Sequence, residues 1–149
     1  MLSPLAYTLI LLAICGYAFV AGGRDEKVVA AVSVIASVAS LLVIQPLDQR
    51  YDGIEVGVMA VDLFVLVAFT AIALRSERFW PLWVAGLQLT TSFSHAAKAA
   101  NITLLPQAYA AAARFWVYPI LLILLVATIR HTLRMRHAAE GWQAPQPSR

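Results

Sequence analysis

The sequence predicts an all-α integral membrane bundle of about five transmembrane helices, and three observations carry that expectation. First, of 149 residues 61% are hydrophobic and only 13% charged, with a mean hydropathy of +0.76. An ordinary soluble domain is about 45–50% apolar and about 25% charged. A chain this short leaves about a third of its surface exposed, so the apolar excess cannot all be hidden in one core. The soluble globular class is excluded, and so is disorder. Second, the charges are confined largely to short segments between long apolar runs. Third, no long alternating strands occur, which leaves helices as the spanning element.

Four stretches are nearly free of charge: residues 2–23, 28–44, 56–74 and 115–129. A bilayer core of ~30 Å requires about 20 helical residues, so the first and third qualify outright and the second sits at the lower limit. The last gains length from the alanines at 110–113, with Arg114 reaching outward past its own stem. It is taken as 108–130. Residues 79–97 open apolar (Phe79, Trp80, Pro81, Leu82, Trp83) and then turn polar through Gln88, Thr90, Thr91, Ser92, Ser94, His95 and Lys98. Hydropathy alone does not decide whether this fifth segment spans.

Cations arbitrate, because cytoplasmic loops are enriched in Lys and Arg. If 79–97 spans, Arg24, Lys27, Arg75, Arg78, Arg130, Arg134, Arg136 and Arg149 share the cytoplasmic side. Arg50, Lys98 and Arg114 then lie outside, eight against three. If it does not span, the split is five inside and six outside. The expected topology is therefore five spans (2–23, 28–44, 56–74, 79–97, 108–130), N-terminus out and C-terminus in. Residues 1–140 form one transmembrane domain, and 141–149, with two prolines and two glutamines, form a flexible cytoplasmic tail. The first segment lacks the positively charged start of a cleaved signal and is expected to remain as a span. Cys15 lies alone inside it, so no intrachain disulfide can form.

The connections are short. Gly22-Gly23 and the following Arg24-Asp25-Glu26-Lys27 read as a tight turn, which makes the first two helices antiparallel neighbours. Residues 75–78 read as a second turn, with Ser76 as a helix cap. Pro106 suits a first helical turn, and Pro119 is expected to kink the last helix.

Several residues are unusual for lipid. Asp62 is the one acidic residue within a span, and a carboxylate at that depth must face protein or water. Gln88, Ser92, His95 and Lys98 fall on one face of the fourth helix by i, i+3, i+4 spacing. Counting equal distances either side of a hairpin closing at Glu77 places Asp62 level with Ser92, with His95 one turn on. A polar cluster of Asp62 with Ser92 or His95 is therefore expected. Its bland role is to fix helix register; its sharper role is a proton or substrate path.

Ser33, Ala36, Ser37 and Ser40 give the second helix a small-residue face, and Gly53 and Gly57 form a similar pair at the third. Small residues let backbones approach closely where lipid supplies no hydrophobic drive. Trp80, Trp83, Trp116 and Tyr118, with Arg130, Arg134 and Arg136, read as anchors at the headgroup level. No cofactor is called for; the one alternative is a haem or pigment ligated by His95 alone. His131 and His137 fall at the other side of the bilayer and cannot join it. The partners implied are lipid and other membrane subunits, not nucleic acid.

Residues 78–89 (Arg-Phe-Trp-Pro-Leu-Trp-Val-Ala-Gly-Leu-Gln-Leu), with His95 and the later Phe115-Trp116-Val117-Tyr118-Pro119, resemble a family of short integral membrane proteins of alphaproteobacteria. The resemblance covers about half of the chain. It implies a bacterial inner membrane and brings no activity or site residues with it. No catalytic constellation is found. The expected role is that of an accessory or scaffold subunit of a larger inner-membrane complex, respiratory or photosynthetic for example. A small oligomeric transporter or channel using the Asp62/His95 region is the alternative.

Overall fold

The computed structural model describes residues 4–43, 56–100 and 115–142. Five helices account for these residues: α1 (Pro4–Ala21), α2 (Arg24–Val43), α3 (Val56–Arg75), α4 (Trp80–Ala100) and α5 (Val117–Trp142). Each packs on its neighbours in sequence, and α5 closes the arrangement against α1, with a lesser contact to α2. The core draws on all five: Leu11, Cys15 and Ala18 from α1, Val29 and Ala30 from α2, Val65 and Phe69 from α3. Val84 of α4 and Ile120, Leu121 and Leu124 of α5 complete it.

Around this core the outer surface is apolar. Val20, Leu42 and Leu74 are among the large hydrophobic side chains that stand exposed on several helices. Soluble monomers rarely show contiguous apolar patches beyond a few hundred Å². By length and apolarity, the stretches Arg24–Val43, Gly57–Arg75 and Val117–Glu140 are each able to cross a membrane, while Leu5–Ala21 is apolar but shorter.

The structure moves several boundaries. Arg24–Lys27 is not part of the first connection but the first turn of α2, leaving only Gly22-Gly23 between helices. Gly23 caps α2, its carbonyl accepting from the Lys27 N–H at 3.1 Å. Asp25 and Glu26 then lie where the positive end of the helix dipole favours acids. Gly22 still accepts the geometry of α1, its N–H donating to the Ala18 carbonyl at 2.9 Å. An added Cβ on Gly22 would meet that carbonyl oxygen at 2.4 Å, so no side chain fits.

Ser76 sits outside α4, which starts four residues later; its Oγ accepts from the Arg78 N–H at 3.1 Å and so pins the connection rather than the helix. Pro81 falls in the first turn of α4, where its missing N–H costs nothing. Phe115 is helical, Trp116 is a turn residue, and regular helix resumes at Val117. Pro119 is thus the third residue of α5 and stands in its first turn, where its missing N–H costs nothing, rather than inside the helix as the expected kink required. At its other end α5 runs to Trp142, well past the expected stop at 130, and takes in two residues of the expected tail. Residues 101–114 and 143–149, with Pro106 and most of that tail, lie outside the described residues.

Candidate functional site

Among the described residues, two polar groupings join helices inside the bundle. The first lies between α3 and α4 and contains Asp62. Gln88 is buried and donates from Nε2 to Asp62 Oδ1 and to the Asp62 carbonyl, both at 3.3 Å. Thr91 and Ser92 are buried on the same face of α4, so this described part of the polar stripe faces the bundle. Of the two expected partners, Ser92 does not bond Asp62, and the side chain of His95 lies outside the described residues. Ser92 Oγ is buried with no hydrogen-bond partner among the described residues, and Gln88, one turn earlier, meets Asp62 instead.

The reason is axial distance. Asp62 lies thirteen residues before the end of α3 and Gln88 eight after the start of α4. At 1.5 Å per residue these are about 20 Å and about 12 Å. Counted from the helix ends the two arms are unequal, and a count symmetric about Glu77, which treats the 76–79 connection as helix, ignores this. The side chains of His95 and Lys98 lie outside the described residues, and with them the question of a His95 ligand.

The second grouping is at the end where Gly22-Gly23 and the 76–79 connection meet α5. Glu26, at 0% exposure, pairs through Oε1 with the Arg78 guanidinium. Arg78 Nη2 lies 3.1 Å from His131 Nδ1. A guanidinium only donates, so Nδ1 accepts and the imidazole proton is assigned to Nε2. Asp25 beside it accepts from Ser76 Oγ at 2.6 Å. One polar network thus joins the start of α2, the α3–α4 connection and α5. Thr132 adds a bond from its Oγ1 to the Ala21 carbonyl at 3.2 Å, covering one of the free carbonyls at the end of α1.

Glu26 Oε2 is buried without a partner among the described residues. It lies at Gly23: a Cβ there would sit 3.0 Å from Glu26 Oε2 and 3.0 Å from His131 Cε1. Gly23 is therefore what lets the carboxylate and the imidazole close on the α1–α2 turn.

This network was not foreseen. The topology had already put Arg24–Lys27, Arg78 and Arg130 on one side. The missing signal was rotational: Glu26, Val29, Ala30 and Ser33 share a face by i, i+3, i+4, i+7 spacing, and Val29 and Ala30 are core.

The small-residue face of α2 divides between two neighbours. Ser37 bonds the Tyr7 hydroxyl of α1 at 2.9 Å, whereas Ala36 lines an apolar groove of about 580 Å³ between α2 and α3. Ser33 donates to its own helix, to the Val29 carbonyl at 2.9 Å, and Ser40 is half-buried. Gly57 permits close approach, since a Cβ there would lie 3.0 Å from the Val43 Cβ. Gly53 lies outside the described residues.

Of the expected anchors, Trp83, Arg130, Arg134 and Arg136 are exposed. Trp80 instead packs partly on the core, with its indole N–H buried and unpartnered among the described residues. Trp116 is half-buried and meets Phe115 edge to face; Tyr118 meets Tyr7 edge to face with centroids 6.4 Å apart. No group of three or more His, Cys, Asp or Glu suited to a metal ion occurs among the described residues. Compared with known family models, characterised proteins and solved structures, the chain has no match.

Proposed function

We propose that this chain is a non-catalytic accessory subunit of a larger bacterial inner-membrane complex, crossing the bilayer five times with the N-terminus out and the C-terminus in the cytoplasm. The observation that carries the reading is that interior polar groups bond across helices to one another. Gln88 holds Asp62 between α3 and α4, Arg78 joins Glu26 to His131, Ser76 holds Asp25, and Tyr7 meets Ser37. Groups arranged this way fix helix positions and register. A transporter or enzyme needs polar groups turned toward a ligand, and Asp62 is not among the residues lining either flank groove. The apolar exterior and the three helices able to cross a membrane support the membrane setting. The eight-to-three cation bias supports the orientation. The resemblance to alphaproteobacterial membrane proteins supports the compartment.

Gentle detergent extraction followed by native mass spectrometry tests the reading. A stoichiometric complex with other membrane chains, far above 16.2 kDa, is the expected result. A chain that purifies alone and, once reconstituted, carries a proton or solute flux abolished by Asp62→Asn would overturn it in favour of the transporter.

A further inference from the structure

We propose that the groove between the start of α4 and the cytoplasm-proximal half of α5 is a binding site for one anionic phospholipid. The inference rests on the membrane-spanning reading above and goes beyond it by naming a ligand. The groove has a volume of about 550 Å³ and opens to the flank of the bundle. On α5 its lining includes Leu122, Val126, Arg130 and Arg134, which recur every fourth residue and so form one stripe along the helix.

The stripe changes character along its length. Leu122 and Val126 are exposed apolar side chains, and Arg130 and Arg134 are exposed cations with no ion pair among the described residues. From Leu122 to Arg134 is about 18 Å at 1.5 Å per residue, close to half of a ~30 Å bilayer core. Apolar surface followed by cations over that distance matches a lipid chain followed by its phosphate. The opposite wall supplies Trp80 and Glu77. Arg78 is taken by Glu26, so the cations open to a ligand are Arg130 and Arg134 against the single acid Glu77. The balance of one positive charge complements a phosphodiester monoanion.

Charge and shape select among occupants. A zwitterionic lipid fits the apolar part but offers no net charge. Free phosphate satisfies the arginines but leaves Leu122 and Val126 without a use. Arginine suits the role because its planar fork binds phosphate oxygens in pairs, and basic pockets between transmembrane helices select anionic headgroups.

The test uses the full chain in vesicles, with Trp83, Trp116 and Trp142 each replaced by Phe so that Trp80 reports alone. The probes are phosphatidylglycerol and phosphatidylcholine carrying brominated chains, which quench on contact. Brominated phosphatidylglycerol should quench Trp80 at a mole fraction at least fivefold lower than brominated phosphatidylcholine. Arg130→Gln and Arg134→Gln should each reduce that preference about fivefold, the equivalent of about 1 kcal/mol per cation near the surface. Glu77→Gln should increase it, a gain that damage to the fold would not produce.

Equal quenching by both lipids, or a preference untouched by either arginine substitution, would reduce the groove to ordinary lipid contact and overturn the proposal. Release of the brominated lipid by millimolar inorganic phosphate would assign the arginines to a free anion and also overturn it. Extraction of the protein by alkaline carbonate would instead refute the membrane reading itself.

Discussion

Removing Arg78 leaves the Glu26 carboxylate stranded where water does not reach. Breaking a buried pair this way costs about 3–5 kcal/mol. A third of the Arg78 side chain remains exposed (32%), so Arg78→Ala should destabilise the bundle by the lower end of that range or somewhat less, about 2–3 kcal/mol. The double variant Glu26→Gln/Arg78→Ala should lose less than the sum of the single variants, because the second substitution removes the stranded charge. Reversible unfolding in mixed detergent micelles measures both, and strictly additive losses would show that the two groups do not interact. Glu26 also marks a limit of sequence reading at this scale. A run of Arg-Asp-Glu-Lys beside two glycines looks like a solvated turn. Only the phase of α2, set by Val29 and Ala30, tells which of the two acids turns inward.

At the scale of helices, contacts between backbones decide more than charge. Gly22→Ala must push a Cβ into the Ala18 carbonyl, a clash with backbone that no rotamer relieves, so it should lower stability and disturb the α1–α2 turn. Gly86 on α4 has open space around the same position, and Gly86→Ala should raise stability by up to about 1 kcal/mol through helix propensity. The opposite signs distinguish a required glycine from an incidental one, and thermal unfolding followed by circular dichroism reads both. The Tyr7–Ser37 bond should show a coupling of about 0.6 kcal/mol in a Tyr7→Phe, Ser37→Ala cycle, the average for such bonds between membrane helices.

The existence of five helices was legible from apolar runs and turn glycines, and the inward polar face of α4 from the spacing of Gln88, Thr91 and Ser92. The axial offset of α3 and α4 was not. It depends on how the 76–79 connection crosses between helices, and no periodicity encodes that path. This is why Gln88 rather than Ser92 holds Asp62.

Across the whole molecule, one physical fact organises the rest. The chain exposes apolar side chains on its outside, and within it Gln88 and Asp62, Arg78 with Glu26 and His131, and Tyr7 and Ser37 bond across helices. The start of α2, the 76–79 connection and residues 130–136 of α5 bring most of its cations to one end, which the proposed five spans would place in the cytoplasm. An odd number of crossings is the central claim, because it fixes which connections share a side. In a Cys15→Ser background, Ser3→Cys and Ser148→Cys provide single thiols at the two termini for an impermeant maleimide. Right-side-out membrane vesicles should label position 3 and leave position 148 unlabelled, with inside-out vesicles giving the reverse. Labelling of both positions in the same vesicle orientation would mean an even number of crossings and would contradict the account.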